Sequence, residues 1–473
     1  MKTKIKLFYY IPENLDLSLL LKQYPPKFKF NIHKAHLFVS QISTLRIHDK
    51  HKDKKGWVKM CSTILQKLIQ DYAQYRAWLE TAGVIVVNNS YVASSSGSGQ
   101  SKKYSFTIDF KRKVRRVPVE YKIHRKRMLS YLVSKQKKNK TKFDKVFLNN
   151  KLKVDEAKAH VILRDKYETD IKKGINPIKA SNSFNEALIK VDKLNRGDFF
   201  YSTDSTIRRH YSTITSFPRV LRSLLTYDGE QLIELDYSNA QFLFFVRLMN
   251  PDFWVDNMFG NLCHDYTAII QDYMFTIHAV GRTVIDRLSS HINTKALRNS
   301  AEEVEKWRSF ASSIYMLGEL TQLTDTEEYS MYRNLVETGR LYNYLQEEFG
   351  KNSSYYKRLS RGKFKVKVIS YMNARNRTTS VFHKLFTTQF PTISKFITSI
   401  KKIHYLIYSH VLLNLETMLM FDRVIPTIKL SIPDDVAYTI HDCVLCTKNN
   451  EDFIRSVMEE QAFIALGVNP TVR

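Results

Sequence analysis

Two apolar runs with strand character each carry an aspartate at or near their end, 206 positions apart. The first reads Leu232-Ile233-Glu234-Leu235-Asp236 and the second Ala437-Tyr438-Thr439-Ile440-His441-Asp442. Strands of this composition are normally buried. A buried carboxylate without a partner is costly, and two carboxylates converging on divalent cations is one solution to that cost. Metals held in this way stabilise both the attacking and the leaving oxygen of an in-line phosphoryl displacement. The expectation is therefore a fold that sets these distant strands side by side in one antiparallel sheet.

A chain of 473 residues is too long for one ordinary core and predicts two or three domains. No apolar run approaches the length of a membrane span, and Met1 to Lys6 lacks the apolar stretch of a secretory signal. A cytosolic protein without membrane association is expected. The cysteines Cys61, Cys263, Cys443 and Cys446 suit a reduced compartment. Cys443 and Cys446 form a lone CxxC, but in a strand residues three apart face opposite sides, which disfavours a shared metal. The formal charge of +28 is more telling, because solvated charge of one sign repels itself and a polyanionic partner relieves it. Nucleic acid is the expected partner.

Residues 1–112 are expected to form an N-terminal domain, within which residues 35–112 have a recognisable rhythm. Trp57 to Ile69 has helical apolar spacing, Tyr72 to Thr81 reads as a second helix ended by Gly83, and Val84 to Tyr91 turns to β character. A Ser/Gly-rich tip at residues 94–99 precedes a returning strand at Tyr104 to Ile108. This succession resembles a winged helix, in which a helix enters a groove and the wing touches the backbone. A small α+β packing domain is the alternative. Residues 113–196 are expected to form a basic, mainly helical connector or thumb-like region. From Lys111 to Lys140 there are thirteen Lys and Arg against one acid, Glu120, interleaved with apolar residues in a spacing that allows a basic-faced helix. Lys111, Arg112, Arg115, Arg116, Arg125, Lys126 and Arg127 are the candidate phosphate contacts.

From residue 197 onward the motifs resemble those of family A DNA polymerases and the phage-type single-subunit RNA polymerases. Asp236-Tyr237-Ser238 resembles motif A and Ile440-His441-Asp442 resembles the strand-turn-strand motif C. The resemblance implies a right-hand α+β polymerase with an antiparallel palm sheet (about 197–250 and 400–473) and helical fingers (about 251–399). It implies two Mg²⁺ ions, with Mn²⁺ as the alternative, held by Asp236, Asp442 and the carbonyl of Tyr237. Upstream, Arg209, His210, Ser212 and Arg219 resemble the segment that contacts the primer-template. Arg361 and Lys365 resemble the Arg-x-x-x-Lys of the fingers helix, two cations on one face that would grip the triphosphate and stabilise the leaving pyrophosphate. Tyr371 is placed near the nucleotide, and an alternative register would use Lys363 and Lys367 with Tyr371.

Three departures from the family qualify this. The family's aromatic and Tyr after the Lys are replaced by Ile369 and Asn373. The family A DNA polymerases follow His-Asp with Glu, whereas Cys443 stands here, as the phage enzymes also lack that acid. His441 is expected to position the primer end or pack the turn. Gln241 occupies the place where family A DNA polymerases carry a Glu that blocks the ribose 2′-hydroxyl and the phage enzymes carry Gly. Gln favours dNTPs by size but can hydrogen-bond a 2′-oxygen, so the sugar stays open. A helix with acids in its first turn is expected from Asn449 onward, its apolar face including Phe453, Ile454, Val457, Met458, Ala462 and Phe463. No acidic cluster of a 3′-5′ exonuclease is apparent, so proofreading is not expected. The implied activity is DNA synthesis from dNTPs on a DNA primer-template. RNA or primer synthesis by the same site, with RNA as a partner, is one alternative, and a DNA-binding initiator with an inactive palm is another.

Overall fold

The computed structural model describes residues 5–46, 57–89, 101–138, 151–204, 209–250, 323–375, 379–403 and 405–473. The fold is α+β with antiparallel sheets, and the chain divides into two compact units, one of residues 1–200 and 216–232 and one of 201–215 and 233–473. The expected fingers segment 251–322 and the serine tip at 94–99 lie outside the described residues.

The first unit opens with β1 (Phe8–Pro12), α1 (Leu17–Gln23) and α2 (Ile32–Leu45). Asp16 and Asn31 cap the two helices, their carboxylate and amide oxygens accepting from backbone N–H groups that have no intrahelical partner. Then come β2 (Val58–Lys59), α3 (Ser62–Leu68), α4 (Tyr72–Thr81), β3 (Ile85–Asn88) and β4 (Lys103–Phe106). These strands form an antiparallel sheet with β4 between β2 and β3. The predicted helix from Trp57 is corrected here. Val58 and Met60 are buried and Lys59 between them exposed, a period of two that pairs Val58 with Tyr104, and the helix begins only at Ser62. The second predicted helix and its end are as expected, with Gly83 at φ +69° closing it.

β5 (Val114–Pro118) pairs along its whole length with β1, so the first core continues past residue 112. That core gathers Tyr9, Phe38, Tyr75, Trp78, Tyr104 and, from α5 (Lys122–Lys138), Leu132. β6 (Leu152–Val154), α6 (Glu156–Lys172) and α7 (Pro177–Asn195) follow. The chain then forms the hairpin β7 (Tyr201–Thr203) and β8 (His210–Ser212) in the second unit. It returns to the first unit for β9 (Leu225–Tyr227), which pairs with β6 and with Glu230 and Gln231 of β10 (Glu230–Asp236).

In the second unit β10 leads into α8 (Ala240–Met249), whose Phe242, Leu243, Phe244, Phe245 and Val246 are all buried. A helix buried nearly all round belongs to the centre of a core. Around it lie α9 (Glu327–Glu337), α10 (Leu341–Asn352), α11 (Ser354–Lys357), α12 (Arg361–Asn373), α13 (Val381–Gln389), α14 (Pro391–Ile403) and α15 (Tyr405–Met418). A π-helical turn, Leu419–Val424, joins α15 to α16 (Ile425–Ser431). β11 (Tyr438–Ile440) and β12 (Cys443–Thr447) form a hairpin, with β12 hydrogen-bonded between β11 and β10. The predicted last helix is α17 (Glu451–Leu466), which buries Ile454, Val457, Met458 and Ala462 but leaves Phe453 and Phe463 exposed. Among the described residues no helix is long and apolar enough to cross a membrane.

Candidate active site

The end of β10 and the tip of the β11–β12 hairpin belong to one sheet, and each delivers one of the two aspartates. In β10 Leu232 and Leu235 are buried, and Glu234 and Asp236 are exposed. The burial expected of Asp236 is thus corrected by strand geometry, since its carboxylate stands on the opposite face from Leu235. The backbone of Asp236 is fixed on both sides, its N–H donating to the Arg473 carbonyl at 2.8 Å and its carbonyl accepting from the Arg473 N–H at 3.0 Å. Tyr237 bridges to Val472, its ring is buried, and its hydroxyl donates to the Met458 carbonyl at 2.6 Å.

Ser238 and Asn239 make the turn into α8, with Asn239 in the left-handed region at φ 60° and its amide donating to the Val336 carbonyl at 3.3 Å. Gly339, at φ +70°, lies against this turn: a Cβ there would fall 2.8 Å from Arg473 Nη2 and 3.1 Å from Ser238 Cβ. Gln241 sits in the first turn of α8, and its side-chain oxygen is buried with no hydrogen-bond partner among the described residues.

Ile440 pairs with Cys443, so His441-Asp442 is a two-residue hairpin loop. His441 adopts φ 61°, a conformation uncommon for a residue with a Cβ, though histidine is among the side chains enriched there. The Tyr211 ring meets His441 edge-on, with centroids 6.0 Å apart. Asp442 is half-buried, and desolvation raises its carboxyl pKa against the opposing fields of Arg209 and Lys365.

A third carboxylate joins them. Glu416 of α15 is almost wholly buried and accepts from the Arg209 guanidinium at 3.0 and 3.3 Å. Its pKa is pushed far above the usual carboxylate range, chiefly by burial, with Asp442 and Asp236 adding and Arg209 opposing. Glu416 therefore feels both aspartates at once. No sequence motif pointed to it, because it comes from a helix whose local pattern is simply apolar. Arg209 is expected at the primer-template, and the structure ties it to Glu416 beside Asp442.

Lys365 of α12 contributes its charge to Asp442 and lies over the Tyr342 ring at 5.4 Å. Tyr342, at the start of α10, is buried against Phe242, with ring centroids 5.5 Å apart. Its hydroxyl pKa is raised by desolvation first and then by Asp442, with Arg361 opposing, which puts Arg361, Lys365, Tyr342 and Asp442 in one electrostatic neighbourhood. In the alternative register Lys367 lies instead over the exposed Tyr355 ring, at 5.8 Å. Phe364, Val368 and Met372 form the buried stripe of α12 and fix which flank Arg361 and Lys365 occupy.

No protein-family model matches the chain, and no curated protein sequence does. Among solved structures it is similar to the polymerase domain of Pol1 from M. smegmatis in complex with DNA primer-template and dNTP, at 13% sequence identity and a TM-score of 0.26. The match covers 66% of this chain and 54% of that one, so it spans about half of that chain's length.

Other expected site residues have contacts of their own. The Tyr371 hydroxyl is hydrogen-bonded to His383 Nδ1 at 2.9 Å, its carbonyl accepts from Lys401 Nζ at 2.5 Å, and its ring packs on Phe382 and Phe386. These contacts make it part of an aromatic core. His210 packs on Phe421 of the π-helical turn and is hydrogen-bonded to Tyr201. The Ser212 hydroxyl accepts from the backbone N–H groups of Ile214 and Thr215, which fixes a turn. Arg219 belongs to the first unit, where it is exposed.

Of the basic candidates in the first unit, Arg116 is directed inward. It is ion-paired with Glu156 and with Asp192 at 3.0 Å, and its Nη2 lies 2.7 Å from His160 Nε2, because α6 and α7 present acids to β5. Arg115 donates to the Leu15 carbonyl and Arg112 to the Asp109 carbonyl, while Lys111 is half-buried. Arg125 donates to the Ile5 carbonyl and Arg127 to the Leu68 carbonyl, and Lys126 is exposed. Cys443 and Cys446 are both buried in β12. Among the described residues no group of three or more His, Cys, Asp and Glu side chains is placed to hold a metal ion.

Proposed function

We propose that the second unit is a template-directed nucleotidyltransferase of the right-hand polymerase type, with β10, β11 and β12 as its palm sheet and the helices from α9 to α14 within its fingers. The reading is carried by one observation: Asp236, at the end of β10, and Asp442, at the tip of the β11–β12 hairpin, are delivered by one sheet, in the unit where Glu416 is buried and ion-paired with Arg209. Carboxylates alone would repel a triphosphate, and cations alone would hold it without activating it. Together they suit transfer between phosphate oxygens.

The donor set fits a hard divalent cation. Asp236, Asp442 and the Tyr237 carbonyl are all oxygen donors, and a carboxyl that desolvation disfavours as an anion, as at Asp442, is one that a cation would stabilise. When bound, Mg²⁺ would supply charge stabilisation at the reacting phosphate oxygens. Lys365 and Arg361 would then bind the triphosphate and neutralise the leaving pyrophosphate. His441, held at the hairpin tip against Tyr211, would orient the primer end. The unbonded Gln241 oxygen is the group that would meet the sugar, favouring dNTPs by size, with NTP use as the alternative.

The first unit is read as the nucleic-acid-binding partner of this module in a cytosolic protein. Its order of α2, β2, α3, α4, β3 and β4, with β4 central, resembles the succession of a winged helix and is the support for that reading. The test is extension of a labelled primer on a DNA template with dNTPs or NTPs and with Mg²⁺ or Mn²⁺. Extension that requires both aspartates supports the reading; DNA binding without any extension favours an initiator with an inactive palm.

A further inference from the structure

We infer that α5 is a docking surface for single-stranded nucleic acid, with a base stacking on Tyr131 and phosphates meeting Lys122, Lys126 and Arg127. Helix α5 buries only one narrow side, through His124 and Leu132, and leaves Ile123, Tyr131 and Val133 exposed by 49%, 62% and 52%. These side chains are exposed among cations rather than gathered in one apolar patch.

The charge says which partner. Lys122, Lys126 and Arg127 are exposed along the same helix, and among the described residues neither Lys122 nor Lys126 has an acidic partner. Arg127 lies four residues before Tyr131 and hence on the same face, and it is steadied by its 2.9 Å bond to the Leu68 carbonyl. That bond joins α5 to the end of α3, where Lys67 is also exposed, so the basic surface extends beyond one helix. A helix that lies in a membrane surface segregates a broad apolar face from its cations. Here the apolar and cationic residues alternate. Cations that lead along the helix to an exposed aromatic, Tyr131, instead fit a strand whose phosphates and unstacked bases are both accessible, whereas a duplex keeps its bases stacked.

The surface lies wholly in the first unit, so the inference stands apart from the polymerase reading. The test uses the full-length chain with labelled oligo-dT, oligo-rU, a DNA duplex and phosphatidylserine-containing vesicles, across a salt series. Tyr131→Ala is expected to weaken single-strand binding about fivefold or more without changing the salt slope, and Tyr131→Phe to retain it. Lys122→Gln with Lys126→Gln should reduce the slope of log K against log salt by about 1.4. An iodouracil-substituted oligonucleotide should cross-link to α5 on irradiation. Unchanged binding by Tyr131→Ala, cross-links that avoid α5, or tighter binding to vesicles or duplex than to single strands would each overturn the assignment.

Discussion

Single side chains offer the sharpest tests of the proposed site, and Gln241 is the clearest case. Its oxygen is buried without a partner, and a buried acceptor left unpaired is costly unless something arrives to bond it. If that something is the sugar, Gln241→Ala or Gln241→Gly should change the ratio of kcat/KM for NTP over dNTP by roughly tenfold. It should rise if the side chain blocks the 2′-hydroxyl and fall if it bonds it, while an unmoved ratio removes Gln241 from the sugar. Arg209→Ala is expected to destabilise the second unit by about 2 kcal/mol, because it removes the guanidinium that hydrogen-bonds the buried Glu416 carboxyl group. Denaturant midpoints measure this, and Arg209→Ala with Glu416→Leu should recover part of the loss. Asp236 and Asp442 were legible in the sequence because each sits in a local strand-and-turn pattern. Glu416 and Tyr342 were not, since each lies in a helix and joins the site only through tertiary packing.

Elements hold these residues in place, and two of them make testable demands. Gly339 lies where a Cβ would press on Ser238 and Arg473, at a φ that L side chains rarely adopt. Gly339→Ala should destabilise the second unit by about 1–3 kcal/mol and lower turnover by moving the strand end that carries Asp236. In the first unit His124 is 3% exposed, lies 2.7 Å from the Tyr9 hydroxyl through Nδ1, and is pushed down to about 4 by desolvation and then by nearby cations. Between its ordinary value and that one, the unfolded chain takes up a proton that the folded chain refuses, so stability falls as pH drops from about 6.5 to about 4. The loss should reach about 3 kcal/mol, and His124→Gln should abolish that component. Parallel stability curves for the two proteins across this range would contradict it. Local periodicity announced α4, the antiparallel pair β3 and β4, and α17, although Phe453 and Phe463 of α17 are exposed and β4 ends at Phe106, where Ile108 was expected to continue it. It misread Trp57 to Cys61, where a two-residue strand is too short for alternation to stand out from the helix that follows.

At the scale of the whole molecule, the formal charge of +28 falls almost entirely on the first unit, which carries +26 against +2 on the second. Part of it is internal to the fold, as at Arg116 and Arg209, whose acidic partners are fixed. Another part is exposed to solvent along α5 and α12, as at Lys122, Lys126, Arg361 and Lys363. Sequence order alone could not divide these two kinds of cation, because their acidic partners lie far away in the chain. The central claim is that the strand ends carrying Asp236 and Asp442 perform nucleotidyl transfer. Its most direct test is single-turnover extension of a labelled primer-template by the full-length chain and by Asp236→Asn and Asp442→Asn, with primer-template affinity measured in parallel. The account predicts extension by the wild type, loss of at least about a thousandfold in either variant, and affinity unchanged within a few-fold. Wild-type rates in either variant, or loss of activity only in step with loss of DNA binding, would contradict it.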